Sequence, residues 1–243
     1  MQATANPRVL VDAILPDLRA SSFASRLAVD AALIVSFALL VALCAQIIIK
    51  IPTTTVPITG QTFGVLLTGG VLGSRRGSLS MLLYLFIGSM VFPVFAPSTS
   101  IVGDNQVLHF VLPWSGTEGM VWDLTTGGYI VGFVVASYVV GLLAERGWDR
   151  KSTVPLAMLV GNLVIYIFGL PWLALKIATN DGLYRFFESQ GGTNVVDMAL
   201  RGGLYPFIGG DAVKLMAAAL ILPGAWVLLD KLKRPLLPKV GRR

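Results

Sequence analysis

The 243-residue chain holds one cysteine and one histidine, and only 13% of it is charged. The lone Cys44 lies inside an apolar run, cannot close an intramolecular disulfide, and reads as a small core residue. With His109 as the only imidazole, no conventional zinc site can be assembled. A soluble domain carries about 25% charged residues. The deficit here, with a mean hydropathy of +0.75 and 55% hydrophobic residues, excludes an ordinary soluble domain and points to an integral membrane protein. The chain has no Gly-x-x-x-x-Gly-Lys-Ser/Thr loop, so it does not hold ATP by that route. It also lacks His-Glu-x-x-His and Gly-x-Ser-x-Gly, and a Ser-His-Asp triad would rest on His109, which has nothing beside it in sequence to activate it. The residues therefore point to binding, not catalysis. No Gly/Ser- or Pro-rich linker and no 20-to-50-residue repeat divides the chain.

Six apolar segments are present: about 27–49, 63–72, 78–95, 123–144, 154–175 and 206–229. The expected fold is an all-α integral membrane protein of six transmembrane helices. Its membrane domain spans 27–230, between an N-terminal tail (1–26) and a basic tail (231–243). The first 26 residues mix Arg8, Asp12, Asp17, Arg19 and Arg26 with short apolar pieces and lack a signal peptide's clean apolar core. A short interfacial helix around Val9–Leu18 and a poorly ordered tail are both open readings. Gly73-Ser74-Arg75-Arg76-Gly77 reads as a tight basic turn, and 51–60, with two prolines and a β-branched run, as an extended loop.

The net charge of +6 does not indicate nucleic acid, because the bases sit at segment ends and not in an aromatic-studded patch. Fourteen of the nineteen Lys and Arg residues fall in the two tails and in the turns around Arg75 and Arg146. This bias predicts both termini in the cytoplasm of a plasma-membrane protein. The long connections (51–60, 96–122 and 176–205) then lie outside, as lids.

One stretch stands out, Pro206 to Lys214. Asp211 and Lys214 share a helix face at i and i+3, in a segment where each charge costs about 2.5–3.5 kcal/mol at the bilayer centre and less toward the ends. The plain reading is a helix cap and a snorkelling lysine; the functional one is a ligand site. Gln61 with Thr62, Tyr84, Tyr129, Asn162 and Tyr166 lie at comparable depth on four other segments. Together they can line one outward pocket. A lysine ammonium suits a carboxylate, Asp, Asn and Gln suit a polar head with N–H donors and a carbonyl, and the rings supply walls. Singly, the tyrosines read as packing or interfacial residues and Asn162 as a helix–helix hydrogen bond. Ala38 and Ala42, four apart on the first segment, allow close helix approach, by another chain or by internal packing.

Five stretches together resemble one family. They are Val56-Pro57-Ile58-Thr59-Gly60-Gln61-Thr62, Gly73-Ser74-Arg75-Arg76-Gly77-Ser78-Leu79-Ser80, Pro93-Val94-Phe95-Ala96, Thr126-Gly127-Gly128-Tyr129-Ile130-Val131-Gly132-Phe133, and Pro206 to Lys214. In this order they resemble BioY, the biotin-specific substrate-binding (S) component of energy-coupling factor (ECF) transporters. The resemblance implies high-affinity capture of biotin from outside, with no cofactor and no enzymatic activity of its own. It implies a transmembrane coupling protein and two ATPases as partners, with Ala38 and Ala42 docking the coupling protein. It also implies that Asp211 and Lys214 contact biotin. Lys214 is then expected at the ligand's anionic group and Asp211 as a hydrogen-bond acceptor. An S component for another small vitamin, and a non-transport membrane subunit or enzyme, are the alternatives. The chain departs from the family between the third and fourth stretches, where 97–125 is long, polar and aromatic in place of a glycine-rich segment. Contacts from that loop are not carried over.

Overall fold

The computed structural model describes residues 9–15, 22–96, 108–109, 116, 120–150 and 152–233. In chain order these form α1 (Leu10–Ile14), α2 (Phe23–Cys44), the short strands β1 (Ile48–Ile49) and β2 (Ile58–Thr59), α3 (Gln61–Leu72), α4 (Ser74–Met90), β3 (Leu108–His109), α5 (Gly127–Leu143), α6 (Val154–Thr179), α7 (Asp181–Ser189), α8 (Val195–Gly203) and α9 (Ile208–Lys233). A π turn (Ala144–Trp148) extends α5, and a 3₁₀ turn (Tyr205–Phe207) leads into α9.

The chemistry of the chain explains the breaks. Ser22 caps α2 by accepting the Ser25 N–H at 3.3 Å. A single residue separates α3 from α4: Gly73, at φ +85°, a conformation that side chains other than glycine's rarely adopt. The expected basic turn is thus narrower than it reads in sequence. Arg75 and Arg76 belong to the first turn of α4. The polar connection 176–205 is likewise largely helical. Asn180 caps α7 through the Leu183 N–H at 2.9 Å, and Asn194 caps α8 through the Asp197 N–H at 3.0 Å. The strands pair antiparallel in the order β2-β1-β3. The short N-terminal helix does form, as α1; most of the 97–125 loop and both tail ends fall outside the described residues.

The largest core cluster joins α2 through α8, with Val41, Val65, Met81, Ala136, Leu173 and Met198 fully enclosed. A second cluster seats α9 against α3, α5 and α6 through Leu66, Val140, Met158, Ala218 and Leu222. The outward faces are apolar too: Ile167 is 66% and Leu220 75% exposed. Helices that are hydrophobic inside and out belong in lipid. Four stretches are long and apolar enough to cross a membrane: Phe23–Cys44, Gly127–Trp148, Val154–Thr179 and Val195–Leu232, the last taking in α8 and α9. The chain is a helical membrane protein.

Two charged knots tie the end of the bundle where α1 lies. Arg76 donates to Asp12 of α1 at 3.0 Å and to Asp30 of α2 at 2.8 Å. Asp149, 1% exposed, accepts from Trp226 Nε1 of α9 at 2.7 Å and from Arg150 at 3.0 Å, and the Arg150 guanidinium lies 4.0 Å above the Trp226 ring. The opposite end holds a cavity between α3, α5, α6 and α9.

Candidate functional site

At that opposite end the start of α3, the start of α5, the middle of α6 and the start of α9 converge on a cavity of about 580 Å³, counting the part open to solvent. One side is apolar and aromatic, from Ile130, Phe133, Ile165 and Phe207. The other is polar, and its centre is Asp211, 5% exposed. Its carboxylate accepts from three donors: Lys214 Nζ at 3.0 Å, Asn162 Nδ2 at 3.2 Å, and the Tyr166 hydroxyl. The Asp211 and Lys214 side chains are only 7% and 14% exposed, so the pair is shielded on both sides. A carboxylate bound by an ammonium and two neutral donors has its buried charge compensated.

This arrangement fixes Asn162 as well. A carboxylate has no proton to give, so Asn162 must turn its Nδ2 toward Asp211. Its Oδ1 is then left buried with no hydrogen-bond partner among the described residues. An unmet buried acceptor costs about 1–3 kcal/mol, which a ligand N–H would recover. Gln61, 6% exposed, lines the same cavity from α3.

Of the seven residues expected at a binding site, Asp211, Lys214, Gln61, Tyr129, Asn162 and Tyr166 line this one cavity. Tyr129 also donates to the Gly203 carbonyl at 2.9 Å, pinning the end of α8 beside the cavity, and its ring meets that of Tyr166 edge to face at 6.2 Å. Tyr84 is not a lining residue. It is 1% exposed and hydrogen-bonded to Gln61 from behind. Ala38 and Ala42 do not present a docking face either: they are 1% and 2% exposed and part of the main core. Their small side chains serve packing inside the chain, the second of the two uses open to small residues.

The residues not singled out are chiefly the apolar wall and the loop. Phe133 sits four residues beyond Tyr129, on its side of α5, so helical spacing from that wall residue identifies it, and Ile130 lies three residues before Phe133. Val56, Pro57 and Thr59 belong to the Val-Pro-Ile-Thr-Gly-Gln run, and Phe207 to the run that opens α9. Thr126 and Ala96 complete the lining, together with Thr62, which was expected beside Gln61. The double glycine has a packing role beside it: a Cβ on Gly128 would come within 2.2 Å of Trp172 Cβ and 2.5 Å of the Phe168 carbonyl oxygen. Trp172 in turn donates to the Leu124 carbonyl at 2.9 Å, holding the approach to α5.

The fold is that of a membrane substrate-binding component. A crystal structure of the S-component for biotin from an ECF-type ABC transporter superposes with a TM-score of 0.55 over 84% of this chain and 93% of that one, at 16% identity. The sequence is closer to curated relatives. The probable biotin transporter BioY of Pyrococcus horikoshii is 33% identical over 192 residues, covering 79% of this chain and 93% of the relative. The biotin transporter BioY of Thermotoga maritima is 34% identical over 177 residues, covering 71% and 82%. The BioY family profile matches residues 17–231, and the chain belongs to the BioY family.

Proposed function

We propose that this chain captures biotin in the cavity between α3, α5, α6 and α9, as the substrate-binding component of an ECF-type transporter. The observation that carries the reading is the polar side of the cavity. A buried Asp211–Lys214 pair stands beside an Asn162 carbonyl that lacks a donor, and both face an apolar wall. Biotin combines a ring urea with an apolar bicycle and an acid tail. The relatives' names supply the ligand, and the donor and acceptor pattern supplies its orientation.

The tips of Asp211 and Lys214 are 3.0 Å apart. A urea carries N–H and C=O on neighbouring atoms, so one urea edge can meet both: N–H to the carboxylate, C=O to the ammonium. A ligand carboxylate on Lys214 would instead set two anions on one shielded cation, beside Asp211, where like charges repel strongly. This reassigns Lys214 from the acid tail to the ring. Lys214→Met is then expected to weaken biotin and biotin methyl ester by the same factor. A loss confined to the free acid returns Lys214 to the tail.

In this reading α2, α3, α4, α5, α6 and α9 each cross the plasma membrane, both termini are cytoplasmic, and the cavity opens outward under the connecting segments. The chain works with a transmembrane coupling protein and two ATPases. With Ala38 and Ala42 enclosed, the small-residue surface available to the coupling protein is the exposed ladder Ala24, Ala28, Ala32 and Ser36 on α2. Titration calorimetry of the purified chain with biotin, thiamine and riboflavin tests the function. Tight binding of biotin alone is expected. A folded chain that binds another vitamin, or none, overturns it.

A further inference from the structure

A chain of hydrogen bonds behind the cavity has its direction fixed from one end. The Val94 carbonyl has no proton to give, so the Tyr84 phenol must donate to it, at 3.0 Å. With its single proton committed, the phenol can only accept from Gln61, and it does so from Nε2 at 2.7 Å. That turns Gln61 Oε1 toward Thr59, whose hydroxyl donates to it at 3.0 Å. The same Thr59 oxygen accepts the Gln61 backbone N–H at 3.3 Å. The oxygen and nitrogen of a carboxamide are nearly equal in shape, so without such an anchor the group would sit either way round.

The anchor is itself held. Phe95 packs edge to face on the Tyr84 ring, with centroids 5.5 Å apart. It also occupies the space a side chain on Gly88 would need, a ring carbon lying 2.3 Å from that Cβ position. The Pro93-Val94-Phe95-Ala96 run is thereby seated on α4, with one carbonyl aimed at Tyr84.

We propose that Tyr84 is a positioning residue that transmits the place of the Val94 carbonyl to the Gln61 amide. Gln61 then keeps one Nε2 hydrogen free for an acceptor on the ligand, a carbonyl of the polar head. This role toward biotin rests on the binding function proposed above; the orientation of the amide does not. Tyr84 touches no ligand; in the stretch after α4, Ala96 lines the cavity directly, whereas Val94 acts on it through Tyr84.

Tyr84→Phe keeps the ring and removes the hydroxyl. It is expected to raise the biotin Kd about tenfold, the worth of one net hydrogen bond. In a Gln61→Ala background the same change should move Kd by less than about twofold, because neighbours acting through one contact are not additive. A second readout needs no ligand. The Gln61 side-chain amide resonances of the free protein should form one sharp set in the wild type. They should broaden or double in Tyr84→Phe and in Thr59→Val, which cuts the relay at its other end. Unchanged Kd and resonances in Tyr84→Phe overturn the proposal. So does an equal loss of affinity with and without Gln61, which makes Tyr84 a support of the fold alone. If the wild type binds no biotin, the functional reading falls, and the amide resonances still decide whether Tyr84 orients Gln61.

Discussion

Asp211 and Lys214 are unequal partners, and removing them separately exposes the inequality. Asp211 has three donors, whereas Lys214 has Asp211 as its acceptor. Asp211→Ala leaves an ammonium whose side chain is 14% exposed without its counter-charge. Breaking a buried pair in this way costs about 3–5 kcal/mol. Lys214→Ala leaves the carboxylate with Asn162 and Tyr166 still donating, so its cost is nearer one charge-assisted hydrogen bond, about 1.5–3 kcal/mol. Asp211→Ala/Lys214→Ala leaves no charge behind and should be less destabilised than Asp211→Ala alone. Thermal unfolding of the four proteins in one detergent, without ligand, provides the ranking. The expected order, from the highest melting temperature down, is wild type, then Lys214→Ala, then the double variant below or near it, and Asp211→Ala last. If Lys214→Ala melts lowest, or the double variant loses the sum of the two single losses, the pair is not the shielded unit described here.

Four further outcomes are expected elsewhere in the fold. Ala28→Trp or Ala32→Trp, on the exposed face of α2, should block assembly with the coupling protein and leave the biotin Kd within about twofold. Ala38→Trp or Ala42→Trp should instead lower the yield of folded protein, measured by size-exclusion chromatography, because it overpacks the core. Gly128→Ala sets a methyl against Trp172 and the Phe168 carbonyl and should cost about 1–3 kcal/mol of stability in the same melt. Asp149→Ala removes the acceptor of Trp226 Nε1 and one partner of Arg150 and should destabilise by about 3 kcal/mol, with biotin affinity unchanged in the fraction that stays folded.

Much of the architecture is legible from hydropathy, because a lipid-facing helix must be apolar over most of its length and its ends carry the charge. The charged pair in α9 was conspicuous for the same reason: few residues tolerate that depth without a partner. What escaped was information that hydropathy does not carry. Gly73 ends one helix and starts the next by its backbone conformation alone, so Arg75 and Arg76 look like turn residues while lying in α4. The helices α7 and α8 are amphipathic and polar enough to pass for a loop, although the caps at Asn180 and Asn194 were available as signals. Ala38 and Ala42 show the limit most clearly. Small residues four apart permit close approach, and only the packing of α2 says whether the neighbour is in the same chain. Tyr84 is similar: its depth was readable, but whether its hydroxyl faced a ligand or Gln61 was not.

The most direct measurement is a structure of the purified chain with biotin bound. The ring urea is expected against Asp211, Lys214 and Asn162, with a Gln61 amide hydrogen on the urea carbonyl and the bicycle against Ile130, Phe133 and Phe207. Biotin bound elsewhere, or bound here with its carboxylate on Lys214 and its ring away from Asn162, would contradict it.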